Sequence, residues 1–313
     1  MTAPASDTSR TNADVATLLE DYGLHAPIVS PLAGGMENLH YRAETPAGAF
    51  VVTILCKKTR HEAEHYARFL DGLRTAGAPV PRLRPLVDGG WVSEHAGRPV
   101  IVADFIDGRQ YTVMPLRLVE AAGVHLGRVH RLAAQVDYAL PPHLRLHADE
   151  AALLAELPDD GFAQWARTTL RETDYVTRQT TPLVAVHADL FPDNVIVPAG
   201  QPDRGVVFID WEDGSLDFPA IDVGMALLGL CCPDGFSLPR ARRLLRGYAT
   251  GSGDRLDPRL VRDCARHAAV LVSLRRYRWQ RTGRLPADPA RTHTALVRPV
   301  AELQELWTEM GRP

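Results

Sequence analysis

The stretch H-A-D-L-F-P-D-N, His187 to Asn194, followed by F-I-D-W-E, Phe208 to Glu212, decides how this chain is read. Apolar runs flank both clusters: L-V-A-V before His187, V-I-V after Asn194 and V-V-F-I before Asp210. The pattern predicts short buried strands that carry polar groups at their ends and in the loops between them. Asp189, Asn194 and Asp210 stand in the order in which a kinase places a base, a metal-binding amide and a metal-binding carboxylate. An ordinary carboxylate suffices at Asp189 to orient an acceptor hydroxyl and take its proton, because a loose phosphoryl transition state needs positioning and charge neutralisation more than a strong base. The amide oxygen of Asn194 can ligate magnesium without adding negative charge beside phosphates, and Asp210, at the end of a buried strand, is the best candidate for the principal metal carboxylate. Taken singly, each would read as a strand-end cap or turn residue; the joint spacing is what points to phosphoryl transfer. His187 reads as a hydrogen-bonding framework residue, and with Asp189 it lacks the further ligands of a zinc site.

Composition narrows the class. The chain has 313 residues, 45% of them hydrophobic, with a formal net charge of -3. That is enough for a sizeable core near the size where one core gives way to two. It provides no bulk attraction to nucleic acid or to an anionic membrane. Cys56, Cys231, Cys232 and Cys264 follow no zinc or disulfide spacing. No apolar run is long enough to span a bilayer, and residues 1–12 lack the hydrophobic region of a signal peptide. A cytoplasmic location is expected, with a monomer and a homodimer both left open.

Working outward, the periodicity changes once along the chain. A helix is expected over Ala13–Tyr22, then strands near Ile28–Leu32, Leu39–Ala43 and Phe50–Leu55 around a turn at Gly34-Gly35. An amphipathic helix over Arg60–Thr75 and short strands near Leu83–Val87 and Arg98–Phe105 complete a mostly antiparallel sheet. From Pro115 the pattern is helical, with Leu118, Ala122, Leu126, Val129 and Leu132 on one face. Further helices are expected within Ala151–Arg178 and near Asp222–Leu230, Ala241–Tyr248, Pro258–Gln280 and Val300–Glu309. The reading is an α+β chain of two lobes: a nucleotide-binding sheet lobe over 1–105 and a helical catalytic and acceptor-binding lobe over 106–313. Nucleotide is expected in the cleft between lobes, its adenine edge read by backbone near Ala103 to Phe105.

These motifs resemble the aminoglycoside phosphotransferase and choline kinase superfamily, which has the two-lobed protein-kinase-like fold, and within it most of all the bacterial homoserine kinases. G-G-M-E-N-L-H-Y, Gly34 to Tyr41, resembles their Gly-x-Glu-Asn-x-x-Tyr stretch, V-V-T-I-L their third strand, and H-A-D-L-F-P-D-N their catalytic loop. A-G-A-P-V-P-R from Ala76, V-A-D-F-I-D-G from Val102 and R-G-Y from Arg246 also fit, so the likeness runs from about Val29 to Gln280. It implies ATP and Mg as cofactors, Asp189 as the catalytic aspartate, Asn194 and Asp210 as the metal pair, and Asp222 as a buried brace of the helical lobe. Gly34 and Gly35 would shape the turn over the phosphates. Where many relatives carry a phosphate-holding lysine this chain has Thr53, as homoserine kinases of this type also do. Lys57 shares the strand parity of Thr53 and would reach phosphate if the strand continued, although a solvent-exposed lysine is the first reading of it; Glu62, or else Glu64, is the helix carboxylate to pair with it, and both read equally as surface carboxylates on a charged helix.

A small-molecule hydroxyl acceptor is expected, with homoserine named first. An amino-acid acceptor would need a basic group for its carboxylate and an acidic or amide group for its amine, which Glu37 and an arginine, Arg275 or Arg276, could supply; Asp213 is a further candidate on the acceptor side. R-R-Y-R-W, Arg275 to Trp279, reads equally as a solvated helix face with snorkelling arginines. W-E-D-G-S-L-D, Trp211 to Asp217, departs from the homoserine kinases in its acidity and suits a cationic acceptor, so an antibiotic phosphotransferase is the alternative. An inert nucleotide-binding protein has Thr53 as its one support.

Overall fold

In the computed structural model, residues 13–32, 38–134, 136, 148–179, 182–200, 205–283 and 291–309 are described. The chain divides into two compact units, Met1–Asp107 and Gly108–Pro313.

The first unit is a five-stranded antiparallel sheet, in the order β1-β2-β3-β5-β4. Its strands are β1 (Ile28–Pro31), β2 (Leu39–Thr45), β3 (Gly48–Ile54), β4 (Ser93–His95) and β5 (Arg98–Asp104). The register Tyr41↔Val52 and Val52↔Val102 aligns one set of alternating side chains. That set, with Ala43, Phe50, Ile54 and Val100, is buried against Val15, Leu18, Leu19 and Tyr22. The last four come from helix α1 (residues 13–18) and the 3-10 turn Leu19–Tyr22 that continues it. The hydroxyl of Tyr22 reaches Ser93 Oγ and the carbonyl of Val100, both at 3.0 Å, which ties that turn to the sheet. Helix α2 (Arg60–Thr75) starts at a capping box in which Thr59 and Glu62 satisfy each other's backbone N–H.

Two expectations for this unit are corrected. Leu83–Val87 is not a strand. Leu83 makes a single bridge to Ala103, and Pro85, which has no N–H to donate, is followed by a turn in which the Leu86 N–H donates to the Gly90 carbonyl and the Leu86 carbonyl accepts from Gly89. The outer strand is instead β4, joined to β5 by Ala96-Gly97, both at positive φ (49° and 75°), the conformation of a tight hairpin turn.

The second unit is mostly helical, with two small antiparallel ribbons. β6 (Gly108–Arg109), β8 (Val195–Pro198) and β9 (Val207–Phe208) form one, and β7 (Val184–Val186) with β10 (Ser215–Asp217) the other. The pairing of β10 with β7 went unread because Ser-Leu-Asp has no β-branched or aromatic residue to announce a strand. The helices are α3 (Leu116–Ala133), α4 (Ala148–Glu156), α5 (Gly161–Thr173), α6 (Pro219–Leu230), α7 (Leu238–Ser252), α8 (Pro258–Arg281) and α9 (Val297–Leu306). Leu118, Ala122, Leu126 and Val129 of α3 are buried as their spacing predicts. No helix among the described residues is long and apolar enough to cross a membrane.

α3 and α7 meet backbone to backbone. A Cβ on Gly123 or Gly127 would run into the carbonyls of Leu244 or Tyr248, and one on Gly247 or Gly251 into those of Glu120 or Val124. The four glycines sit four apart on facing sides of the two helices, so neither helix can retreat from an added methyl without losing the other contacts. Gly123→Ala and Gly247→Ala are each expected to lower stability by about 1–3 kcal/mol. Gly161→Ala, at a site with open space around it, should stay within about 0.5 kcal/mol of wild type. Urea denaturation checks this, and equal effects at the three sites would refute a tight crossing.

Candidate active site

The loop from His187 to Asn194 leaves β7, makes a 3-10 turn at Pro192–Asn194 and enters β8. Its shape depends on Asp222, in the first turn of α6 and without solvent exposure. The Asp222 carboxylate accepts the backbone N–H of His187 at 2.7 Å and of Ala188 at 2.9 Å. It also accepts from His130 Nε2 at 3.0 Å, and the other nitrogen of that ring lies 3.1 Å from the Tyr248 hydroxyl. Burial alone would raise the pKa of Asp222. The His130 hydrogen bond and charge, joined by His187, outweigh burial and hold the carboxyl below its usual range. Ala188 sits at φ 66°, a left-handed conformation that costs a non-glycine residue about 1–2 kcal/mol; the bond to Asp222 holds it there.

Ile209 aligns the second motif with the first. Its N–H donates to the carbonyl of Asn194 at 3.0 Å, and its carbonyl accepts from His187 Nε2 at 2.9 Å. With Nε2 protonated, Nδ1 of that ring is the acceptor for the Asp189 N–H at 3.3 Å. Burial pushes the His187 pKa down, so the ring is neutral and serves as a strut; it also packs on the buried ring of Trp211 at 4.6 Å. Asp210, next in sequence, adopts the left-handed conformation at φ 62° and ψ 59°, which an aspartate tolerates better than most residues.

Asn194 Nδ2 donates to the Asp189 carbonyl at 2.8 Å and to its carboxylate at 3.0 Å. That orientation leaves the amide oxygen as the end for a cation. Burial, then the charges of Asp213 and Asp193, push Asp189 up to about 7, against the opposing pull of Arg275 and Asn194. Asp210 is raised well above its ordinary value by burial and then by Glu212, Asp189, Asp213 and Asp193. Half-buried carboxylates gathered this closely fit a divalent cation, whose charge would reverse both shifts. No three His, Cys, Asp or Glu side chains among the described residues could hold a metal by themselves.

Arg275 donates from Nε to Glu150 Oε1 at 3.2 Å and lies 3.5 Å from Asp213 through Nη1. Arg276 is buried, its guanidinium 5.4 Å above the Phe191 ring. The solvated-face reading of this run therefore fails at both residues, because each guanidinium has an internal partner. Asp217 is also buried, its carboxylate accepting the N–H of Phe218, so the acidic segment beyond the metal strand is divided between structure and site. Glu150 was missed in the sequence: it lies on a helix far from either motif, and only the fold brings it to Arg275. Asp193 pairs with Arg291.

In the first unit, Thr53 Oγ1 lies 3.1 Å from His40 Nδ1, and burial lowers the pKa of that histidine. β3 ends at Ile54 and Lys57 falls in an exposed bend, so the strand-parity argument does not extend to Lys57. Glu62 is an exposed capping residue bonded to Thr59 N at 2.7 Å, and Glu64 pairs with Arg60 and Arg68. The expected lysine–glutamate pairing is thus replaced at Glu62 by a helix cap. Its signature, Thr59-x-x-Glu62, was present in the sequence. Ala103 pairs with Val51 and bridges Leu83, while the Phe105 N–H donates to Ala49 and its ring lies under Arg42. Gly34, Gly35 and Glu37 lie outside the described residues.

Asp222→Asn is expected to cost about 3 kcal/mol at neutral pH, since it removes one partner of a buried charged network. The folded pKa is depressed, so the contribution is complete above the unfolded value and is lost as pH falls through the folded one. The stability gap between wild type and variant should therefore narrow below about pH 4. Urea titrations at several pH values check this; a gap independent of pH would refute it.

The family model described as phosphotransferase enzyme family matches residues 28–263. Homoserine kinase of Brucella abortus is 30% identical over 262 residues, covering 79% of this chain and 78% of the relative. That of Brucella anthropi is 30% identical over 228 residues, covering 70% and 69%. Among solved structures, an amicoumacin kinase in complex with AMP-PNP, Ca2+ and Ami superposes with a TM-score of 0.70 at 16% identity, covering 98% of this chain and 97% of that one. A choline kinase from Streptococcus pneumoniae superposes at 0.68 and 15% identity, covering 96% and 100%. At those identities the superpositions speak for the fold. The chain therefore belongs to the phosphotransferase enzyme family, within the aminoglycoside phosphotransferase and choline kinase-like superfamily of protein-kinase-like fold, and has homoserine kinases among its homologues.

Proposed function

We propose that the protein is an ATP- and Mg-dependent kinase that transfers the γ-phosphoryl group to the hydroxyl of a small molecule, with homoserine as acceptor. The observation that carries the reading is Asp189, fixed by Asn194 at 3.0 Å within a group of carboxylates that includes Asp210. Homoserine kinases at 30% identity support the acceptor. Magnesium held by Asn194 and Asp210 would neutralise charge on the phosphates. Asp189 orients the acceptor hydroxyl and takes its proton as the oxygen bonds to the γ-phosphorus and the bond to the bridging oxygen breaks, releasing ADP. Asp189 acts by its position more than by its basicity, since the charge of a bound magnesium would cancel the rise that burial, Asp213 and Asp193 give it. In the first unit, Thr53 and the backbone near Ala103 and Phe105 are proposed as nucleotide contacts.

An antibiotic O-phosphotransferase is the second reading, favoured by Glu212 and Asp213 beside Asp210. It is weakened by Arg275, which lies against Asp213, and by the burial of Asp217.

Nucleotide-coupled phosphorylation across homoserine, choline, hydroxylysine, amino sugars and hydroxyl-bearing antibiotics tests the proposal. Homoserine is expected to be turned over. Asp189→Asn, which keeps the side chain's shape beside Asn194, should lower kcat by about 10²–10⁴-fold. Turnover within a few-fold of wild type in that variant would remove Asp189 from the reaction. Clean turnover of an antibiotic without homoserine would select the second reading.

A further inference from the structure

One face of the sheet in the first unit is buried in the core with Tyr41, Val52 and Val102. The opposite face is less fully covered, and the register orders what lies on it. His40 stands across from Thr53, and Thr53 from Ile101; in the next row Arg42 stands across from Val51, and Val51 from Ala103. Such rows are about 7 Å apart. The charged side chains on this face are Arg42 and Glu44 of β2 and Glu94 of the outer strand β4. Arg42 and Glu44 pair at 2.9 Å, and the guanidinium lies 4.4 Å over the Phe105 ring, so its charge is engaged in the row of Ala103 or beyond it.

His40 is differently placed. It is half-buried, its Nδ1 lies 3.1 Å from the Thr53 hydroxyl, and its Nε2 has no partner among the described residues. Burial lowers its pKa, so the ring is neutral and carries a single N–H. When the Thr53 hydroxyl donates to Nδ1, that proton sits on Nε2. Thr53 thus fixes the plane and tautomer of the ring, and the free edge is a donor. Two β-branched apolar residues would serve a half-buried cross-strand position better than this pair, because they leave no polar group to satisfy. A group that accepts without donating completes the set, and a phosphate oxygen is such a group. The order along the sheet agrees. The backbone near Ala103 and Phe105 is the proposed contact for the base, His40 lies one row farther on, and a ribose separates base from phosphate by a comparable span.

We propose that His40 Nε2 is the donor that holds a nucleotide phosphate in the first unit, with the Thr53 hydroxyl orienting its ring. The inference rests on the reading of the protein as an ATP-dependent kinase and deepens it; it does not depend on the acceptor.

The test is displacement of a fluorescent ADP analogue from the full chain, with magnesium present, by ADP, AMP-PNP and adenosine. His40→Asn puts its amide where Nδ1 stands, keeping a partner for Thr53 and losing the reach of Nε2; His40→Gln does the opposite. His40→Asn should weaken ADP and AMP-PNP by about 10- to 100-fold, as expected for a lost hydrogen bond to a charged group, while adenosine stays within about 2-fold of wild type. His40→Gln should stay close to wild type on all three, and Thr53→Val should fall between the two variants. KM for ATP should follow the same order, with KM for the acceptor unchanged. A pair that serves only the sheet would give the reverse order, His40→Gln harming more than His40→Asn, and would overturn the proposal. Undiminished ADP binding in His40→Asn, or equal losses of ADP and adenosine, would overturn it as well. Each of these outcomes leaves the kinase reading standing. A wild-type chain that binds none of the nucleotides would instead remove the reading on which the proposal rests.

Discussion

A charge with no exposed surface must find inside the protein what water would have given it. Asp222 does so with the backbone N–H groups of His187 and Ala188 and the ring of His130. Its place in the first turn of α6 adds the favourable end of the helix dipole. The same bonds fix the start of the catalytic loop, so the stability of the charge and the shape of the loop are one constraint. α6 also packs beneath the loop farther along, where a side chain at Gly229 would strike the carbonyl of Leu190. Behind His130 stands Tyr248, carried by α7, and α7 reaches that position only because the glycines let it press onto α3. Small residues at a helix crossing thereby set the position of a loop they do not touch.

The two motifs were legible because each is local. Their residue types and spacing name the groups, and the flanking apolar runs name the strands. What links them is not local: Ile209 bonds Asn194 through its N–H and His187 through its carbonyl. An isoleucine in a buried strand gives no sign that its backbone is the alignment device. Asp222 was assigned through family likeness, and its partners His130 and Tyr248 come from α3 and α7, which no sequence spacing connects.

Elsewhere the limits of sequence reading have specific physical causes. β4 is three residues long and is declared only by the turn after it. Lys57 looked able to reach phosphate because strand parity was extended past Ile54, where the chain bends. Glu62 was read for its charge when its spacing from Thr59 made it a cap. Arg275 and Arg276 looked like solvated residues on a basic helix face, yet both are covered by partners from other elements. A charged residue at a core-facing helical position is ambiguous until its counterion is located, and Glu150 lies where no motif looks for it.

Together these contacts divide labour among like charges. Burial and the neighbouring charges of Asp193 and Asp213, joined at Asp210 by Glu212, raise the proton affinity of Asp189 and Asp210. Two features oppose this at Asp189. Asn194 donates from its amide nitrogen to Asp189 and so holds that carboxylate down without adding a charge. Arg275 supplies a positive charge 3.5 Å from Asp213 and pulls the proton affinity of Asp189 down. Together they pull Asp189 back toward an ordinary carboxylate against the burial and like charges that raise it. The placement of one amide and one guanidinium therefore sets how far Asp189 departs from an ordinary carboxylate.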